Sequence, residues 1–441
     1  MKKQRERLLR LLGSAGKKAE EAEVFEVSTE MVPVHFEANR LKQIQSHEST
    51  AIALRIFREG KVGFAVGQGE GDVETLVDMA VQTAPFGPPA NFEFPSVRDY
   101  PPIDVFDAGV PRLAMKQMVE LGSELIARVR EHTPDLLCDV GVIRGTSSVH
   151  LVNSRGGEAG WEESFFSVTL EGMLVQGTDM LLVGDSESSC CFSSDVSSLA
   201  GRVITQLERA KSTAAISPGQ MPVIFTPPGV ASALLAPLVL AFSGKAVLDG
   251  ASPLKDRLGE EVFDPRLTLW DDATLPYRPG SCPCDGEGVP SQRIPLVSRG
   301  VVANFLYDLP TAALAGKKST GSGRRMGDRL PAPGISSLVM EVGRGQFEDM
   351  VGDIKEGLVV EQLMGGTQGN LLNGDFSGNV LLGYKVERGN ISGRVKDTMI
   401  SGNVYQVLKE IIAVGSEARW VDGIFRLPHL YCPRLSVAAK A

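Results

Sequence analysis

The chain opens on charge interleaved with leucine. "KQRERLLRLL" puts Leu8, Leu9, Leu11 and Leu12 on one stripe and predicts a short amphipathic helix over residues 3–12. "AEVFEVSTE" and "VPVHFEANRLKQIQ" then alternate partially with a period of two, as strands do. "TAIALRIFREGKVGFAVGQG" predicts a hairpin that turns at Glu59-Gly60. Helical spacing appears over 72–84 and 113–131. Between those segments, "PFGPPANFEFPSVRDYPPID" is a proline-rich connector without a packing period. Strand patterning returns over 135–185 ("SSVHLVNSRG", "SFFSVTLEGMLVQGTDM"), and a helix follows near 194–212.

At "ISPGQMPVIFTPPG" the pattern changes. Helical segments thin out and Gly/Pro turns become frequent, which places a domain boundary near 215 and predicts two domains, 1–215 and 216–441. Helices are expected at 228–243, 346–355 and 403–414, among many short strands. The predicted class is α+β: an N-terminal α/β domain followed by a strand-rich C-terminal domain.

Composition narrows the function. With 22% charged and 43% apolar residues, 441 residues can bury large cores. A net charge of −9 argues against a nucleic-acid partner, which needs a concentrated basic surface. No run of 18 or more apolar residues suggests a membrane span. The basic N-terminus lacks the apolar core and cleavage site of a secretory signal. A cytoplasmic location is expected. Cys138, Cys190, Cys191, Cys282, Cys284 and Cys432 are too sparse for a disulfide scaffold and are expected to be reduced.

The candidates for chemistry are few. His35, His47, His132, His150 and His429 never fall four apart, so no helix face presents a histidine pair. "SCPCDGEG" gathers Cys282, Cys284, Asp285 and Glu287, either as part of a metal site or as a tight turn with small buried thiols. Cys190-Cys191 reads as structural, because neighbours on an extended chain point to opposite faces. "AGKKSTGSG" (315–323) has the flavour of a phosphate loop but carries Thr311 where the motif needs glycine. Its Lys317 and Lys318, with Arg324 and Arg325, could hold a peptide carboxylate. No nucleophile elbow or triad stands out.

"MGGTQGNLLNGDFSGNVLLGY" (364–384) has six glycines and one ionisable side chain, Asp375. Strand-like segments flank it, Asn373-Gly374 is a turn signal, and "ERGN" (387–390) closes a second hairpin. Two readings fit: packed structural turns, or a bare strand edge that receives an extended peptide. On the second reading Gly365, Gly366, Asn373, Asp375, Ser377 and Gly378 face a peptide or partner, and Asn373, Asp375 and Ser377 bond a peptide backbone. Asp285, Glu287 and Arg293 would stabilise the neighbouring turn.

This stretch resembles the TldD/PmbA family, often called modulators of DNA gyrase. The resemblance continues in "EAEVFEVSTEMVPVHFEANRLKQIQSHESTAIALRIFREGKVGFAVGQ", "SGKAVLDGASPLKDRLGEEVF" (243–263), "LWDDATLPYRPGSCPCDGEGVPSQRIPLVSRGVVANFLYDLPTA" (269–312) and "DTMISGNVYQVLKEIIAVGSE" (397–417). It implies a peptidase assembly. The TldD-type member carries a His-Glu-x-x-x-His zinc motif and a C-terminal cysteine ligand. The PmbA-type member, also called TldE, lacks the motif and partners the first.

The motif's place here reads "PPGVASALLAPLVLAFSGKAV" (227–247), without His, Glu or Asp. Such a segment supplies neither zinc donors nor a general base, and its apolar surface implies burial. Cys432 in "PHLYCPRLSV" matches the cysteine motif poorly. The resemblance thus implies a PmbA/TldE-type subunit with no catalytic residue and no cofactor of its own. Zinc is expected in a TldD-type partner, and an extended peptide is the expected substrate. Two alternatives remain: an independent hydrolase with a metal at Cys282, Cys284 and a distant ligand, or a homodimeric peptide-binding scaffold.

Overall fold

A computed structural model describes residues 2–69, 72–325 and 329–439. The first half builds one antiparallel sheet from β1 (Glu21–Glu37), β2 (Arg40–Ile44), β3 (His47–Arg58), β4 (Lys61–Gln68), β5 (Leu137–Asn153), β6 (Glu158–Gln176) and β7 (Asp179–Ser189). The order is β4-β3-β1-β5-β6-β7, with β2 also paired to β1. Its helices are α1 (Lys2–Ala15), α2 (Val73–Thr83), α3 (Gly109–Arg112), α4 (Met115–His132) and α5 (Ser197–Arg209).

Strand alternation sorts the residues of this sheet onto two faces. Ala22, Val24, Ile52, Leu54 and Ile56 pack under Leu8 and Leu11 of α1 and Leu76, Val77 and Ala80 of α2. Farther along the same face, Val140, Val142 and Val168 pack with Met118, Leu121 and Leu125 of α4 and with Leu199 and Val203 of α5. The opposite face carries Phe25, Val27, Ala51, Ala53, Val149 and Trp161 and turns toward the second half.

The turn at Glu59-Gly60 forms as the sequence predicts, with φ of 51° and 72° and Arg58 opposite Lys61. β1 departs from expectation: its 17 residues form one strand that runs through Pro33. Proline has no N–H to give to a ladder. The register explains why it fits. Pairing with β3 ends at Met31 and pairing with β2 starts at Val34, so Pro33 faces a neighbour only on the β5 side, opposite Ile143.

The connector also differs from its reading. It lacks regular structure but is packed: Phe57, Phe92 and Phe94 form an aromatic cluster, with Phe57 and Phe94 stacked 4.5 Å apart. Val105 is buried, and its carbonyl accepts from the Ser164 N–H.

The second half contains β8 (Gly219–Phe225), α6 (Pro227–Phe242), β9 (Leu269–Asp272), β10 (Arg293–Ser298), β11 (Val301–Val302), β12 (Gly323–Arg324), β13 (Ala332–Pro333) and β14 (Leu338–Met340). After these come β15 (Glu356–Met364), β16 (Asp375–Glu387), β17 (Asn390–Arg394), β18 (Thr398–Asn403), β19 (Ala413–Val421) and β20 (Phe425–Ala439). The large sheet runs β11-β10-β9-β14-β20-β18-β16-β15-β8. β8 also pairs with β20, so five strands close on themselves. β12 and β13 form a separate two-stranded ribbon.

One face of this circuit gives Val223, Phe225, Leu358, Val360 and Leu430 to a core with Ala233, Leu234 and Leu238 of α6. The other gives Ile224, Val359, Leu382, Tyr384 and Tyr431 to the core around α4 and α5. The two halves therefore share a buried layer.

The closing helix predicted over 403–414 is a single turn, Val404–Val407. Val404, Val407, Leu408 and Ile411 are all buried, as their helical spacing requires. The chain nevertheless becomes extended, because the Ile412 N–H joins the Tyr431 carbonyl and β19 begins at Ala413. Sheet pairing overrides the local period.

Candidate functional site

α6 lies between the closed circuit and the first sheet. Thr226 caps it by accepting from the Gly229 N–H, and Pro227 and Pro228 occupy its first turn, where their missing N–H groups cost nothing. Burial is not all round, as the apolar composition led us to expect. Ser232 and Val239 are only half-buried and Ala236 is exposed. This stripe lines a groove of about 1010 Å³ whose far wall is the first sheet at Thr169, Gly172 and Gly184.

Charged groups gather at the end of the groove. Asp185 accepts from Arg202 Nε at 2.6 Å and from Arg419 Nη1. Asp422, in the turn before β20, has its carboxyl pKa raised by burial and by the Asp185 charge. Behind α6, buried Glu361 accepts from Thr226 Oγ1 at 3.0 Å and pairs with Arg209 Nη1 at 3.3 Å. Burial raises its pKa, and the Arg209 charge opposes the rise.

The glycine-rich stretch is not an open edge. β16 pairs with β15 from Asn379 to Glu387 and with β18 from Asp375 to Asn379. Ser377 also bridges Thr367 across the remaining gap. The Asn373-Gly374 signal marks the end of a short 3-10 helix, Leu371–Asn373, where Gly374 takes φ 85°. Several of the glycines serve close approach. A Cβ on Gly366 would stand 2.2 Å from the Ser232 carbonyl oxygen of α6, and one on Gly378 would meet Met364 O at 2.9 Å. Gly365 takes φ 74° in the turn out of β15.

Asn373 and Asp375 are exposed but already tied: Asn403 Nδ2 donates to the Asn373 carbonyl at 2.8 Å and to Asp375 Oδ1 at 2.9 Å. The predicted residues thus surround one loop against α6, with Gly366 and Gly378 buried and Asn373 and Asp375 at its rim. Pairing across three strands sets Met364, Asn379 and Met399 side by side on an exposed face.

"SCPCDGEG" is a turn held from within. Asp285 accepts from the N–H groups of Glu287, Val289 and Gly323. Cys282 and Cys284 are buried, and burial raises the Cys284 thiol pKa. Arg293 lies outside this turn, contrary to expectation: it stacks 3.8 Å over Trp270 from the neighbouring strand. The basic loop divides. Lys317 and Lys318 are exposed, with Lys317 over Tyr307, whereas Arg325 donates to Gly286 O at 2.6 Å and to Glu23.

Sequence reasoning missed what these contacts join. Arg55 on β3 is 1% exposed and lies between Glu23 on β1 and Glu287 in the turn, with Nη1 2.6 Å from Glu287. Glu23 and Arg55 sit opposite each other in register on the inward face. That placement was visible as two charges breaking an apolar alternation.

Among the described residues, no three His, Cys, Asp or Glu side chains are close enough to hold a metal. His35 and His47 are exposed, His132 pairs with Glu208, and His150 lies 3.2 Å from Ser148. Cys190 is buried and Cys191 half-buried at the end of β7. Cys432 sits in the apolar core beside α6, where burial pushes its thiol up to about 12.

His429 packs against Phe347 with the rings tilted and their centres 4.8 Å apart, and burial lowers its pKa to about 4, helped by the Arg209 and Arg419 charges. The unfolded value is ~6.5. The contribution of the neutral ring is therefore complete above about pH 6.5 and is lost as pH falls toward about 4. His429→Phe is expected to flatten the stability slope across that window by roughly 2–3 kcal/mol. Urea midpoints at pH values from about 7 to about 4 would show this.

A sheet with helices on one face, a closed strand circuit and a helix-walled groove between sheet and circuit define a two-part α+β architecture with a strand-rich second half. Residues 218–439 match the family described as PmbA/TldA metallopeptidase C-terminal domain, and residues 22–84 match its domain 1. The chain belongs to the PmbA/TldD family. It is 26% identical over 415 residues to an uncharacterised protein of Methanocaldococcus jannaschii, covering 92% of this chain and 94% of that one. It is 30% identical over 243 residues to the metalloprotease PmbA of Escherichia coli O157:H7, covering 55% of this chain and 50% of that one. The crystal structure of TldE from Thermococcus kodakarensis superposes with a TM-score of 0.88 at 22% identity, covering 98% of this chain and 100% of the other. That likeness concerns the fold.

Proposed function

We propose that this chain is the non-catalytic, PmbA/TldE-type subunit of a cytoplasmic assembly in which a TldD-type partner supplies the zinc and the peptide-cleaving chemistry. The observation that carries this reading is α6. It lines the inter-sheet groove where the family resemblance places the zinc motif, yet it offers that groove only Pro228, Ala231, Ser232, Leu235, Ala236 and Val239. A side-chain set with one hydroxyl and no imidazole or carboxylate can line a passage for a chain but cannot activate a metal-bound water.

In this reading the groove holds an extended peptide along its apolar stripe. The loop of Gly365, Gly366, Asn373, Asp375, Ser377 and Gly378 faces the partner, beside the exposed Met364, Leu372 and Met399. Exposed apolar side chains bordered by polar ones suit a subunit contact.

The test is reconstitution. The purified chain alone should leave unfolded peptides uncut. Mixed with a TldD-type protein from the same genome, it should form a complex of defined mass with zinc-dependent cleavage. Turnover by the chain alone would overturn the reading. So would a stable homodimer that ignores every TldD-type protein, which would favour the scaffold role instead.

A further inference from the structure

A second chamber, of about 630 Å³, lies between the inward face of the first sheet and the β12–β13 ribbon. Its walls are largely apolar: Phe25, Val27, Ala53, Val149, Ile335 and Ile424. One cation stands out in this wall. Arg324 donates a single hydrogen bond, from Nη1 to Cys282 Sγ at 3.4 Å. Its Nε and Nη2 are out of reach of solvent and have no hydrogen-bond partner among the described residues. A further donor of the same chamber, the Ser281 hydroxyl, is likewise buried and unpartnered.

The nearby carboxylates do not satisfy this guanidinium. Asp271 accepts from Ser336 N, Ser337 N and Ser336 Oγ, and Asp285 is committed to three backbone N–H groups. Glu163 also lines the chamber; burial raises its pKa, and a hydrogen bond from the Trp161 indole and then the Arg324 charge oppose the rise. The neighbouring Arg325 is engaged by Glu23 and Gly286. Asp271 and Asp285 offset the Arg324 charge, but its one hydrogen-bond acceptor among the described residues is a thiol, which leaves a planar anion able to meet it better.

We propose that this chamber binds the carboxylate of an apolar molecule, with the Arg324 guanidinium as its cationic partner and the surrounding side chains taking the apolar body. The carboxylate can come from a peptide C-terminus or from a free aliphatic acid; the chemistry recognised is the same. The proposal deepens the peptide-handling reading but does not need the partner chain, because every group it uses lies on this one.

Calorimetric titration of the full-length protein tests it. The probes are N-acetyl-Ala-Val-Leu as the free acid, the same tripeptide as its C-terminal amide, and 3-methylbutanoate. The acid is expected to bind at least about tenfold more tightly than the amide. Arg324→Met should remove that preference, and Arg324→Lys, which keeps the charge without the fork, should restore part of it. Tighter binding of the tripeptide than of 3-methylbutanoate identifies a peptide terminus as the source, and equal binding identifies a free acid; both support the site.

Equal binding of acid and amide to the unaltered protein, or no binding of either acid, would overturn the proposal, and neither result depends on a variant that folds. Cleavage by the reconstituted mixture without any preference for free acids would sink this inference while sparing the subunit reading. Acid binding by a chain that never joins a TldD-type protein would do the reverse.

Discussion

Arg55→Met is expected to destabilise the protein by about 3–5 kcal/mol, the usual cost of removing one partner from a buried ionic cluster. Arg55 is enclosed between Glu23 and Glu287, which are both fully buried, and its guanidinium also lies about 5 Å from the Phe92 and Phe94 ring centres. Methionine keeps much of the stem's volume and removes the charge. Two carboxylates would then face each other across a dry space, with Arg325 left to pair with Glu23. Burial already pushes Glu287 up to about 7, and the Asp285 charge adds to it against the Arg55 charge. Without Arg55 the cluster must take up a proton or open.

The effect reaches beyond one strand, because the cluster spans the interface: Glu23 and Arg55 belong to the first sheet, and Glu287 and Arg325 to the second half. Denaturant unfolding followed by tryptophan fluorescence would measure the loss. A change below about 1 kcal/mol would mean that the cluster is hydrated and weak, as exposed pairs are.

Gly229→Val is the second large effect, expected to cost about 3 kcal/mol or more. Gly229 is in the first turn of α6, and a Cβ there would stand 2.2 Å from the Val360 carbonyl oxygen and 3.6 Å from that of Glu361. Helix and strand are both pinned at this point. The Thr226 N–H donates to that same Val360 carbonyl, and Val359 and Val360 pair with Ile224 and Phe225 of β8. The obstacle is backbone on both sides, so no rotamer change relieves the clash. The helix must move out, taking Leu234 and Leu238 from the core.

Gly366→Ala provides the contrast. It has an equally close contact, with Ser232 O, but belongs to a loop that can shift, so it should cost less and should loosen residues 364–375 selectively. Thermal melts rank the pair, and amide hydrogen exchange locates the change.

Much of the fold was legible because local signals and tertiary demands agreed. The Glu59-Gly60 and Arg388-Gly389 turns adopt the positive φ pairs that their dipeptides suit. α4 and α6 fall where apolar spacing puts them. Legibility failed where a distant strand decided the outcome. The apolar period after Val404 reads as helix until Tyr431 claims the Ile412 N–H. The glycines of 364–384 read as an edge because a sequence shows which strands exist and not which neighbours they find; β18 and the Thr367 bridge fill the sides of β16.

The apolar composition of α6 was legible, but its half-exposed stripe at Ser232, Ala236 and Val239 was not. Nor was the inter-half cluster, since Arg55 and Glu287 are 232 residues apart and the four charges acquire meaning only when the two halves are stacked.

The closed circuit of five strands bears on how the chain is made. β8 and β20 meet through pairs such as Val223 with Cys432 and Gly219 with Val437. A ring joined at two places so far apart cannot shut during synthesis until β20 has left the ribosome. Until then β8, α6 and β15 have an unfinished core, and the entropy of bringing such distant segments together slows the final step. The nascent second half must therefore wait in a partly built state, and removal of β20 should leave it there.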